Sequence, residues 1–158
     1  MSARPEPTDI KRFLWAQRPV YRIVVQELCA GAKQSHWMWF IFPQLRCLAR
    51  SATADYFGIA DLQEAKRYLQ DSLLRERLLQ CFALANGHGG LSPAALMGKE
   101  IDARKLRACA SLFAATHDEA VVMAARRCLK LFFANTPCAQ TLQALELTQK
   151  ALMQEMSG

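Results

Sequence analysis

The sequence predicts an all-α fold, a single compact domain of about eight or nine mostly short helices. Three observations point there. Alanine, leucine, glutamine and arginine, all good helix formers, are abundant, and only seven glycines and six prolines interrupt them. In most segments apolar residues recur every three or four positions, the period of a helix face. The one β-prone segment, Trp37 to Phe42, has no obvious strand partner elsewhere in the chain. A chain of 158 residues is the size of one domain. Such a length buries roughly 68–70% of its unfolded surface, enough for a core without staples. With 52% hydrophobic and 22% charged residues the chain reads as globular, not disordered.

Residues 1–8 are polar and proline-containing and read as a flexible leader; residues 9–156 read as the helical domain. Thr8 or Asp9 can cap a first helix whose Ile10, Phe13 and Leu14 share a face. Pro19 suits the first turn of a second helix, with Val20, Ile23, Val24 and Leu28 facing inward and Gly31 as its left-handed stop. Ser35 to Gln44 follows, closed by Pro43, and a short helix or buried turn is expected there. Ser51 and Gly58 bracket a short helix. Asp61 with Glu64 forms a capping-box-like start, and Asp71 starts the next helix. Asn86 to Gly90 reads as a flexible loop. Ser92-Pro93 opens a helix closed by Gly98, and Asp102 is expected to cap the one after it. His117-Asp118-Glu119 puts acids at the start of a long helix that Asn135 stops. Thr136-Pro137 starts a last helix with Thr141, Leu142, Leu145 and Leu152 near one face.

Six cysteines form no CxxC pair, which argues against a zinc ribbon or a thioredoxin-like site. Several lie in apolar helical company, where a free thiol acts as a small hydrophobe. The leader has no apolar signal core, and no run of ~18 apolar residues occurs, so a cytoplasmic protein without a membrane anchor is expected. The formal net charge of +6 fits an anionic small molecule or nucleic acid as partner, or an ordinary solvated surface. The basic residues form no dense tract, so nucleic acid is the less favoured partner.

The chain carries Arg12-Phe13, Ala16-Gln17 and Tyr21, then Gly31-Ala-Lys33-Gln-Ser35-His36-Trp37-Met-Trp39-Phe40-Ile-Phe42-Pro43-Gln44. Ser51-Ala-Thr-Ala-x-Tyr56-x-Gly58-Ile59, Glu64-Ala65, Tyr68-Leu69, Asp102-x-x-Lys105-Leu106, Leu112-Phe113 and Thr141-Leu142 follow. In this order the motifs resemble the bacterial family known as domain of unknown function 1810. Relatives are sometimes labelled calpastatin, although nothing in this sequence supports protease inhibition. The resemblance implies a compact helical domain and brings no settled activity. Relatives usually carry hydroxyl residues where Ala108, Cys109 and Ala110 stand, and often an acid where Cys138-Ala139-Gln140 stands. A site that needed those hydroxyls would be weakened here. A more distant, fold-level likeness is to NAD- and ADP-ribose-associated helical N-glycosidases, which is an analogy only.

The candidate chemistry centres on the aromatic stretch. His36 can act as base, acid or ligand, or simply pack on tryptophan with its nitrogens on backbone. Trp37 and Trp39 share a side on an extended chain and diverge on a helix; they serve either a stacked base or the core. Gln44 can read an amide or a base edge, or cap a buried backbone group, and Ser35 stands at the opposite edge. Asp102 and Lys105 share a face at a helix start, where the lysine can hold a phosphate or simply be solvated. Lys33 and Arg50 flank the stretch and add positive charge. The histidines at 36, 88 and 117 have no metal-ligand spacing, and neither metal nor cofactor is expected. Cys29 and Cys109 would be nucleophiles only with depressed pKa values.

The expected function is a pocket between the aromatic stretch and the Asp102–Lys105 helix, binding a small anionic, nucleotide- or ADP-ribose-like ligand. His36 and Asp102 are the candidate catalytic groups for N-glycosidic hydrolysis. Lys33, Ser35, Trp37, Trp39, Gln44, Arg50 and Lys105 are the candidate binding residues. A non-catalytic helical interaction module and a nucleic-acid-binding protein are the alternatives.

Overall fold

The computed structural model describes residues 3–157. Among them are ten α-helices: α1 (Lys11–Gln17), α2 (Tyr21–Ala30), α3 (Met38–Ile41), α4 (Ala52–Tyr56), α5 (Leu62–Gln70), α6 (Ser72–Asn86), α7 (Pro93–Met97), α8 (Glu100–Ala114), α9 (Glu119–Phe133) and α10 (Ala139–Ser157). A 3-10 turn covers Arg46–Leu48. The count exceeds the expected eight or nine, because the aromatic stretch makes one helical turn of its own before Pro43. The described residues contain no strand, only an isolated parallel bridge between Leu45 and Ile59.

Local chemistry sets most boundaries. Ser51, Asp61, Asp71, Ser92 and Asp118 each accept a backbone N–H in the first turn of the helix that follows. Gly31 and Gly98 end α2 and α7 in the left-handed region, at φ of 71° and 81°. Asp102 does not cap α8. Gly98 turns the chain so tightly that Lys99 takes the extended capping position, and Asp102 falls inside the first turn. Pro19 precedes α2 instead of entering its first turn.

α8 and α9 pair as a hairpin, with α6 on α9, α7 on α8 and α2 on α6. Aromatic rings run through the core. Phe13 meets Tyr68 edge-on at 5.0 Å, Tyr68 meets Phe113 at 5.5 Å, and Phe42 lies between Trp37 and Phe82. Two expected inward faces differ. Ile23 is exposed, because the buried seam of α2 runs Val20–Val24–Leu28 and Ile23 lies about 100° to its side. On α10 only Thr141 is buried; Leu142 is exposed because the packed side of the helix runs through Thr141, Ala144 and Leu145, and Leu152 because the helix outruns the body it packs on.

A buried ion pair ties the N-terminal third together. Arg12 and Glu64 are sealed, with side chains 0% and 2% exposed, and approach to 3.1 Å. Arg12 also donates to the carbonyls of Asp9, Tyr56 and Gly58, while Glu64 accepts from the Ala60 amide. Nearby, Arg46 N donates to Ile59 O at 2.7 Å and Ile59 N to Gln44 O at 2.8 Å. The two backbones cross so closely that a Cβ on Gly58 would stand 2.4 Å from Arg46 Cα. That crossing fixes Gln44 beside α4. Arg4, Pro5 and Pro7, from the segment read as a leader, lie against the same region. Tyr56 donates to Pro5 O, Arg46 donates to Pro7 O, and the Arg4 guanidinium sits 3.6 Å from the Tyr56 ring centre.

Candidate functional site

The turn of α3 separates the two tryptophans, as a helix must. Trp37 is 1% exposed and belongs to the core; Trp39 is half-buried and reaches a surface groove. The indole N–H of Trp37 donates to Glu27, a residue that sequence reading passed over. Glu27 also accepts from the amides of Gln34 and Ser35 and from the Ser35 hydroxyl. Burial pushes its carboxyl pKa up, but the hydrogen bonds from Ser35, Gln34 and Trp37 outweigh that and hold it at about 2. Ser35 and Trp37 are thus spent on Glu27, which folds the segment between α2 and α3.

Lys33, Asp102 and Lys105 form the second charged cluster. Lys33 Nζ lies 2.9 Å from Asp102 and donates to Ser35 O at 2.7 Å. Lys105 Nζ lies 3.9 Å from the same carboxylate and 5.2 Å from the Trp39 ring centre. Lys33 backbone N donates to Leu96 O, and its carbonyl packs where a Cβ on Gly98 would need to be, 2.7 Å away. Two ammonium groups therefore share one carboxylate. Desolvation lowers the pKa of Lys105 from the ordinary lysine value, Asp102 pulls it back up, and the neighbouring charges of Lys33 and Lys99 lower it further.

Above this cluster opens a groove of about 600 Å³ between α3, α4, α8 and the start of α10. The face Ile101–Arg104–Lys105–Ala108 forms its α8 wall, at the i, i+3, i+4, i+7 spacing of one helix side. Trp39, Gln44, Arg50 and Ser51 line one side, and Cys138, Ala139 and Gln140 close the other. Arg107 joins them, fixed by an Nε–H donated to Thr136 O at 2.8 Å and by the Phe133 ring. Four lining residues are cationic and none is acidic. A small recess beneath, bounded by Met38, Phe42, Phe57 and Gly58, shares Trp39, Gln44, Ala54 and Lys105 with the groove.

Of the residues singled out from sequence, the structure gathers Trp39, Gln44, Arg50 and Lys105 at the groove, with Asp102 and Lys33 behind Lys105. His36 is exposed and does not line it. His88 is part of the frame: its ring covers Gly31 and approaches Cys29 O at 3.2 Å. Cys109 is sealed in the core, and burial with the neighbouring thiols pushes its pKa well above the ordinary value, the opposite of the depressed value a nucleophile there would need. Arg104 and Arg107 were not singled out, and Cys138-Ala139-Gln140 was noted only as a departure from the family pattern, not as binding residues. A count along α8 would have found Arg104, since it shares a side with Lys105 and Ala108.

Among the described residues no three His, Cys, Asp or Glu side chains gather as metal ligands would. No described helix is long and apolar enough to cross a membrane. The model of a family described as "Protein of unknown function (DUF1810)" matches residues 7–145. A conserved hypothetical protein from Mycobacterium tuberculosis, known from a crystal structure, is 42% identical, with a TM-score of 0.83 over 89% of this chain and 99% of its own. No curated protein matches. With nearly the whole of the helical body inside the match, the chain belongs to the DUF1810 family.

Proposed function

We propose that the groove binds a small anionic ligand with a planar group, nucleotide- or ADP-ribose-like in its chemistry. The observation that carries this is the lining itself: Arg50, Arg104, Lys105 and Arg107 with no carboxylate among them. Guanidinium groups suit phosphate through paired N–H donors, and Arg107 is already held in place. Trp39 offers a ring at the same wall. Gln44 gives its backbone carbonyl to Ile59 and leaves its amide for a ligand edge. Hydrolysis of an N-glycosidic bond would need a proton carrier in the groove. Asp102 is the nearest acid, and its charge is already shared by two lysines. Binding is therefore the reading favoured over turnover.

A thermal-shift series with pyrophosphate, nucleotides, NAD and ADP-ribose tests it. A ligand at 100 times its dissociation constant adds ~2.7 kcal/mol, a rise of several degrees for a domain of this size. No shift with any of these anions overturns the proposal. A second reading, a helical interaction module, is favoured by one observation. α10 carries exposed Leu147, Leu152, Met153 and Met156 beyond the end of the family match at residue 145.

A further inference from the structure

We infer that Lys105 is a covalent site: its amine forms an imine with an aldehyde or ketone that also bears a phosphate or carboxylate group. This rests on the groove being an anion site and adds a bond-forming step to it.

Position comes first. Lys105 lines both the groove and the recess beneath it, between the Trp39 ring at 5.2 Å and Asp102 at 3.9 Å. The recess has room for about one water, so a carbonyl oxygen at its mouth, with the rest of the molecule in the groove, would meet the lysine while the anionic end lay among Arg50, Arg104 and Arg107. Charge comes second. Asp102 is the one carboxylate within reach, and Lys33 holds it at the shorter distance, 2.9 Å. Lys105 is left half-buried among cations, the surroundings that make a lysine give up its proton. The lowered pKa noted above agrees with that geometry.

The step balances without any further reactant. The neutral amine adds its lone pair to the carbonyl carbon, and the oxygen takes a proton to give a carbinolamine. Loss of that oxygen as water leaves a protonated imine. An ammonium plus a carbonyl thus becomes an iminium plus water, with no net proton released.

The test uses pyridoxal 5′-phosphate, which carries both an aldehyde and a phosphate, followed by borohydride reduction and peptide mapping. The expected result is a reduced adduct on Lys105 forming about tenfold faster than on exposed Lys11, Lys130 or Lys150, and suppressed by excess pyrophosphate. Lys105→Arg keeps the charge, so it should keep a pyrophosphate thermal shift and lose the adduct. Labelling spread evenly over the exposed lysines overturns the inference. If wild type and Lys105→Arg both shift with pyrophosphate while wild type takes no adduct at Lys105, the covalent step falls and the anion site stands. If Lys105 is labelled but no anion shifts the protein, the lysine chemistry stands and the anion site falls.

Discussion

The molecule holds two charged clusters built to different balances. Arg12 and Glu64 are one to one, closed to solvent, with the remaining donors of Arg12 on backbone carbonyls. Lys33, Asp102 and Lys105 are two to one, and the surplus cation faces a groove with three arginines. A matched, sealed pair has nothing left to offer a ligand. An unmatched, half-open one keeps an attraction in reserve. The difference separates a charge that fixes the fold from a charge that is available for use.

The largest expected effect breaks the sealed pair. Arg12→Ala strands the Glu64 carboxylate in the core and should cost about 4 kcal/mol, with Tm falling by about 10 °C in calorimetry. No added anion should restore it. Asp102→Asn comes next, at about 3 kcal/mol, because it leaves the buried Lys33 ammonium without a countercharge. Here pyrophosphate should raise Tm more than it does in wild type, since an anion in the groove can replace the lost carboxylate. Equal anion responses in the Arg12 and Asp102 variants would erase the distinction between the clusters.

Glu27→Gln should cost about 2 kcal/mol, since charge-assisted bonds to Ser35, Gln34 and Trp37 become neutral ones. It also has a pH signature. The folded-state pKa of Glu27 lies at about 2, below the ordinary 4.5, so its contribution is present above pH 4.5 and is lost as pH falls towards 2. Urea titrations across that window should show a shallower acid decline for Glu27→Gln than for wild type. The smallest effect on folding belongs to Lys105→Ala, within about 0.5 kcal/mol. The same change should weaken an anionic ligand at least about tenfold. A large stability loss without a binding loss would place Lys105 with the sealed pair.

What could be read from sequence was what local chemistry decides. Ser51, Asp61, Asp71, Ser92 and Asp118 are capping residues whose side-chain acceptors lie within three positions of the N–H donors; the first four were legible as helix starts, whereas Asp118 was read only as a first-turn acid. Gly31 and Gly98 were legible for the same reason, as stops after a periodic run. Asp102 misled because an acid at a helix start looks like a cap, and only the turn at Gly98 reveals that Lys99 has taken that place. Glu27 was hidden because, half-buried beside the apolar seam of α2, it looks like a solvated charge, while its partners lie seven to ten residues on. The groove was half visible. Trp39, Gln44, Arg50 and Lys105 announced themselves by type, whereas Cys138, Ala139 and Gln140 enter only because α10 folds back onto α8 and the turn at Arg46–Leu48.

Arg12 also orders the assembly of the chain in time. Its acceptors at Tyr56, Gly58 and Glu64 lie 44, 46 and 52 residues downstream. Gln17 in the same helix takes its partners from Phe40, Tyr68 and Arg77. On the ribosome, α1 emerges long before any of the later groups exist, and a guanidinium that has no carboxylate stays in water. Closing the Arg12–Glu64 pair therefore means closing a loop of 52 residues, and the pair with its carbonyl bonds has to offset that loop's entropy. A chain cut short before Glu64 would keep the α3 side of α1's packing and lose the carboxylate that seals Arg12.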